Sequence, residues 1–270
     1  MTLTRRALTA LAATAVLALA TGCTGGTGTP GPGGNPADPA PSQPQPTGQL
    51  SVSAAASLTE PFTALGTEFE AVYPGVRVRF NFGGSSALAR QLVEGAPVDV
   101  FAAASPATMA QVVDAGAATG QPVVFIRNRL VIAVPRDNPA RITTPRDLTR
   151  PGVKVALCAA AVPCGAAART ALAAAGVRVV PVTEEQDVKA VLTKVGLGEV
   201  DAGLVYRSDV KAAAAKVSGI DFAEAERAVN DYSVVATRDA GNPDAAAAFI
   251  GFVTSARARV VLTEAGFLAR

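Results

Sequence analysis

The sequence contains no histidine. That absence removes the most common general base, the Ser-His and Cys-His nucleophile pairs and most zinc sites. Charge is also scarce and nearly balanced: 24 Lys plus Arg face 22 Asp plus Glu, a formal net charge of +2. Such a chain lacks the basic surface that tracks a phosphate backbone, so nucleic acid is not an expected partner. Long apolar runs are missing outside the N-terminus, and nothing there approaches the roughly 20 residues of a bilayer span. Yet 49% of the residues are hydrophobic, which excludes wholesale disorder, and 270 residues suffice for one large core or two modest ones.

The N-terminus has its own composition. Arg5 and Arg6 precede an apolar-rich stretch from Ala7 to Ala20, followed by Thr21-Gly22-Cys23. The stretch is short for a membrane helix, and its basic head and small-residue exit read as an export signal over residues 1–22. The Ala20-Thr21-Gly22-Cys23 run resembles a bacterial lipobox, which would place a lipid on Cys23; the alternative is a plain cleavable signal with a bystander thiol. Arg5-Arg6 leaves general and twin-arginine export both open. Thr24 to Gln49 holds seven prolines, seven glycines and one charge, Asp38. That composition cannot offset the ordering entropy of a core, so residues 23–49 read as a lipidated cysteine and a tether. The tether would reach on the order of 30 Å as a coil and about 80 Å if extended.

From Leu50 onward, short β-branched runs alternate with alanine-rich helical stretches, the pattern of an α/β fold. Strands are expected at 50–54, 76–82, 98–102, 130–134, 154–157, 177–180, 202–206 and 232–236. Helices are expected at 58–72, 86–94, 106–115, 165–175, 186–197, 207–214, 243–254 and 256–265.

Five strand-to-helix junctions are small and polar, and helix starts beyond strand ends are natural anion sites. Ser57 with Glu60 reads as a capping box or, alternatively, as a hydroxyl aimed at an anion. Gly83-Gly84-Ser85-Ser86 permits close backbone approach but lacks the lysine of a nucleotide-binding loop. Cys158 and Cys164, six apart in an exported chain, suggest a disulfide; two buried thiols and a metal pair are the alternatives. Glu184-Glu185-Gln186-Asp187 before Val188 suits a helix start, and Tyr206 closes a strand.

In order and spacing these segments resemble the periplasmic molybdate-binding proteins of ABC importers, the ModA family, in a lipoprotein form. The likeness runs from Gln49 to Arg270 and is most specific at Phe82-Gly83-Gly84-Ser85-Ser86-Ala87-Leu88-Ala89-Arg90-Gln91 with Glu94-Gly95-Ala96-Pro97-Val98-Asp99. The resemblance implies a two-lobed periplasmic-binding-protein fold of type II, lobe 1 being 50–129 plus 232–270 and lobe 2 being 130–231. It implies an oxyanion in the cleft between them, held by hydroxyls and main chain of Ser57 and Ser85, amides of Cys164 and Val188, and the hydroxyl of Tyr206. Cys164 departs from the alanine expected there; donation through its amide would leave its thiol free for a bridge.

The same resemblance implies no catalysis and no cofactor. Molybdenum enters only as molybdate, with tungstate beside it, and the partner is a membrane permease. The chain is expected to act as a monomer on the outer face of the cell membrane, touching it only through the lipid. All five groups are neutral donors, which suits a dianion carrying no proton and disfavours protonated phosphate. A sulfate receptor of the same fold, a tethered hydrolase and an adhesion module remain rivals. The hydrolase would need a lysine beside Ser57, Ser85 or Cys164, and none of the three begins a Ser-x-x-Lys motif.

Overall fold

The computed structural model describes residues 45–270. The expected signal at 1–22, the lipid site Cys23 and the tether up to residue 44 lie outside the described residues. The chain runs β1 (Gly48–Ala55), α1 (Thr59–Val72), β2 (Val76–Gly83), α2 (Ser85–Val93), β3 (Val100–Ala103), α3 (Pro106–Asp114), β4 (Ala118–Asn128) and β5 (Leu130–Pro135). It continues through β6 (Val155–Cys158), α4 (Pro163–Ala174), β7 (Thr183–Glu185), α5 (Val188–Gly196), β8 (Ala202–Tyr206), α6 (Arg207–Ala212) and β9 (Val217–Ile220). β10 (Asn230–Thr237), α7 (Pro243–Val253) and α8 (Ala256–Glu264) complete it. No single described helix is long and apolar enough to cross a membrane.

The strands form two five-stranded mixed sheets, ordered β2-β1-β3-β10-β4 and β7-β6-β8-β5-β9. Within the first, β1 pairs in parallel with β2 and β3, while β10 runs antiparallel to β3 and β4. Central strands covered on both faces read as continuous apolar runs, as in Val155–Cys158 and Ala202–Tyr206, where every residue is buried. The chain leaves the first sheet at Asn128, enters the second at Leu130, and returns between Ile220 and Asn230. Asn128 and Asn230 are register partners, and Arg127 Nε donates to Asp231 Oδ1 at 2.7 Å beside them. Arg129 reaches Asp221 and Glu226 on the returning segment, so the two crossings are tied together by ion pairs.

Four expectations need correction. β1 begins at Gly48, inside the expected tether, and Asn242 Nδ2 donates to the carbonyls of Thr47 and Gln49 there. No strand forms at 177–180: the amide of Val177 closes the end of α4 on the Leu172 carbonyl, and Val180 is 82% exposed. The edge strand β7 lies instead at Thr183–Glu185, so Glu184 and Glu185 are strand residues and only Asp187 caps α5, its Oδ1 accepting from the amide of Ala190. β4 and β9 were not among the expected strands. β4 contains Gly120 and Pro122, sits at a sheet edge and carries irregular register with β10, so apolar alternation is weak along it.

A disulfide joins Cys158, at the end of β6, to Cys164 in the first turn of α4. Gly165 follows because space is lacking: a Cβ there would stand 2.0 Å from the Ala159 carbonyl oxygen and 2.5 Å from that of Cys158.

Candidate functional site

The carboxyl ends of β1, β2, β6, β7 and β8 all feed helical starts, and these five junctions surround one pocket. Its atom-free space is about 210 Å³, mouth included. Ser57, Ser85, Cys164, Val188 and Tyr206 all line it. Ser57 and Ser85 come from the first sheet, the other three from the second, and each is at most 3% exposed.

Ser57 lies in a short 3-10 turn, Ala56–Leu58, ahead of α1. The expected capping box with Glu60 does not form: Leu58 occupies the N-cap of α1 without a side-chain bond, and Ser57 Oγ is 2.8 Å from the Tyr232 hydroxyl. Glu60 instead accepts from Lys189 Nζ at 2.7 and 2.8 Å, joining α1 to α5. Ser85 opens α2, and its Oγ accepts from the amide of Ala104 at 3.1 Å. Its neighbour Ser86 donates to the carbonyl of Ala161, a bond from the first half to the second. Gly84 is required at this contact, since a Cβ on it would stand 2.1 Å from the Gln186 carbonyl oxygen.

Cys164 and Val188 occupy the first turns of α4 and α5. Amides in a helix's first turn have no carbonyl four residues back, and they sit at the positive end of the helix dipole. Three helices of nine residues or more (α2, α4 and α5) therefore begin at the pocket and direct partial positive charge there. No lysine or arginine lines it among the described residues. Asp187 is the single acid in the lining, and its carboxylate is occupied in capping α5. No group of three or more metal-ligating side chains occurs among the described residues.

Tyr206 ends β8 with its hydroxyl accepting from Asn230 Nδ2 at 2.7 Å. Burial pushes this hydroxyl far above the usual tyrosine range, and the nearby charge of Asp209 adds to the effect. It therefore stays protonated and able to donate. Burial acts likewise on Tyr232. Asp209, fully enclosed under Tyr206, has its carboxyl pushed up to about 6 by burial, opposed by Lys189, whose Nζ is 3.3 Å from Oδ1. Its Oδ2 accepts from the amide of Tyr206 at 3.0 Å, anchoring the strand end that carries the hydroxyl.

Sequence reasoning missed the layer behind the pocket. Tyr232 and Asn230 lie on β10, and Ala104 follows β3, far from the junctions in the chain. An expected strand over 232–236 held no local sign that Tyr232 would meet Ser57. The described residues do hold one Ser-x-x-Lys spacing, Ser208 to Lys211 in α6; there Ser208 Oγ accepts from Asn128 Nδ2 at 2.8 Å.

The family model for bacterial extracellular solute-binding proteins matches residues 50–268. The molybdate-binding protein ModA of Mycobacterium tuberculosis is 45% identical over 216 residues, covering 80% of this chain and 83% of that protein. The ModA of Escherichia coli is 30% identical, covering 82% and 89% respectively. In structure, the periplasmic molybdate-binding protein of Azotobacter vinelandii superimposes with a TM-score of 0.73 at 21% identity, over 82% of this chain and 99% of that one, a likeness of fold. With the pocket beyond the strand ends, these matches place the chain: it belongs to the bacterial extracellular solute-binding protein family, alongside its ModA members.

Proposed function

We propose that this chain is the receptor of an ABC importer, binds molybdate and also tungstate in the pocket, and hands it to a membrane permease without catalysis. Molybdate is cargo here and no resident cofactor is needed. One observation supports the reading: Ser57, Ser85, Cys164, Val188 and Tyr206, from five junctions, all line one pocket. Ser57, Ser85 and Tyr206 supply hydroxyls, and Cys164 and Val188 supply amides. Such dipoles replace the water around a dianion, and the one carboxylate in the lining, Asp187, caps α5. The identity with the ModA proteins supports the choice of anion.

The mechanism is closure. The two sheets with their helices act as lobes, 50–129 plus 232–270 and 130–231, and an anion that bonds donors from both favours the closed form that a permease recognises. The protein acts as an exported monomer, held at the membrane's outer face by a lipid on Cys23 and the proline-rich tether.

Thermal denaturation of the mature protein with molybdate, tungstate, sulfate or phosphate tests this directly. Molybdate and tungstate should raise the midpoint by mass action on the native state. A rise with sulfate alone would replace the ligand, and no rise with any of the four would remove the oxyanion reading.

A further inference from the structure

Behind the pocket, one hydrogen-bond chain links a hydroxyl from each half. Asn230 Nδ2 is 2.7 Å from the Ala104 carbonyl oxygen and 2.7 Å from the Tyr206 hydroxyl. A carbonyl only accepts, so the atom facing Ala104 must be the amide nitrogen, and its second hydrogen goes to Tyr206. The Tyr206 oxygen is thereby an acceptor toward Asn230, and its own hydrogen must point elsewhere. On the other side of the same residue, the Ala104 amide donates to Ser85 Oγ, so the Ser85 hydrogen also points away from Ala104. Both residues line the pocket.

We propose that Asn230 is a positioning residue: through Ala104 and Tyr206 it fixes the direction of the pocket's hydroxyl hydrogens, restricting the site to oxyanions that carry no proton. The inference rests on the oxyanion-binding reading above and adds the residue that enforces it. A free tyrosine hydroxyl can rotate to accept a hydrogen bond as readily as to donate one. With Asn230 in place the rotation is closed, because turning the hydrogen toward Asn230 would set two donors face to face. A protonated anion such as hydrogen phosphate then meets donors where it needs an acceptor, and one buried hydrogen is left unpaired. Asn230 also bonds from β10 of the first sheet to β8 of the second, so the device is complete only when the halves are together.

The test is a double-mutant cycle by calorimetry on the mature protein: wild type, Asn230→Ala, Tyr206→Phe and the pair, titrated with molybdate at neutral pH, where every inorganic phosphate ion carries a proton. Asn230→Ala should weaken molybdate about tenfold, the scale of one hydrogen bond to a charged group. In the Tyr206→Phe background the same change should cost less than about twofold, since the hydroxyl through which it acts is gone. Phosphate should compete better against molybdate in Asn230→Ala than in wild type. Should Asn230→Ala lose its folded baseline, Asn230→Leu keeps most of the volume without the donor and repeats the cycle. Additive losses with an unchanged phosphate preference would overturn the proposal and leave molybdate binding standing. A wild type that binds neither molybdate nor sulfate would instead remove the reading on which it rests.

Discussion

The two halves of the molecule build the same pocket wall by different means. Around the first sheet the core is aromatic: Phe62, Phe69 and Phe249 meet edge to face at 5.2 to 6.0 Å, with Phe80 and Phe125 against Phe62. Around the second it is aliphatic, with Val131, Ile132, Val155, Leu204 and Val205 buried beside small alanines, and the Cys158–Cys164 bridge fastens its first helix. The donors differ in the same way. The first half offers side-chain hydroxyls at Ser57 and Ser85; the second offers main-chain amides at Cys164 and Val188, plus Tyr206. A hydroxyl can be deleted by one substitution, whereas an amide survives every substitution but proline. On the proposed reading, vulnerability at the pocket is thus distributed unequally between the two halves.

The contrast breaks most sharply at two glycines. Gly84→Ala forces a methyl group to 2.1 Å from the Gln186 carbonyl oxygen of the other half, and should weaken molybdate about 100-fold while the ligand-free melting midpoint barely moves. Gly165→Ala clashes wholly within the second half, and should lower stability by about 1–3 kcal/mol in denaturant melts. If the two exchange effects, the division between closure and folding is wrong.

The donor chemistry is sharpened next. Ser57→Ala and Ser85→Ala should each weaken molybdate by roughly 10- to 100-fold in calorimetry, with the fold retained. Val188→Ala should change affinity by less than about threefold. Val188→Pro should match the serine variants, because proline is accepted at the first helical position and removes only the amide hydrogen. Equal losses for Val188→Ala and Val188→Pro would assign the role to packing.

Stability should separate the halves with pH. The Asp209 carboxyl, pushed up to about 6 from an ordinary 3.8, binds its proton more tightly in the native state than in the unfolded chain. Its contribution is therefore full below about pH 4 and lost as pH rises to about 6, an effect on the order of 3 kcal/mol. Asp209→Asn should flatten that part of the profile in denaturant titrations across pH, and an unchanged slope would contradict the assignment. The bridge comes last. Cys158→Ser with Cys164→Ser should cost about 2 kcal/mol of stability, with molybdate affinity within about threefold, because the proposed donor at Cys164 is its amide and not its sulfur.

The five junctions were legible as small polar segments ahead of helix starts, and the family resemblance singled out one residue in each; Val188 follows Glu184-Glu185-Gln186-Asp187, not an apolar run. Val155–Cys158 and Ala202–Tyr206 were legible as strands because they are short apolar runs. β4 was not, because Gly120 and Pro122 interrupt its pattern and its pairing comes from β10, more than a hundred residues later. The Ser57 and Glu60 spacing fits a capping box, yet Tyr232 and Lys189 take those two side chains. Glu184 and Glu185 fit a helix start, yet pairing with Leu157 and Cys158 draws them into β7.

Taken alone, the chain's alternation of apolar periods determined its α/β class, its lack of histidine and balanced charge narrowed the chemistry, and the resemblance to the ModA family singled out one residue at each small polar junction. Only the tertiary structure decided which way those residues face. Asn230, Ala104, Tyr232 and Lys189 act on the junctions from other elements, and a hydrogen bond between residues 24 to 175 positions apart leaves no periodic trace in either segment.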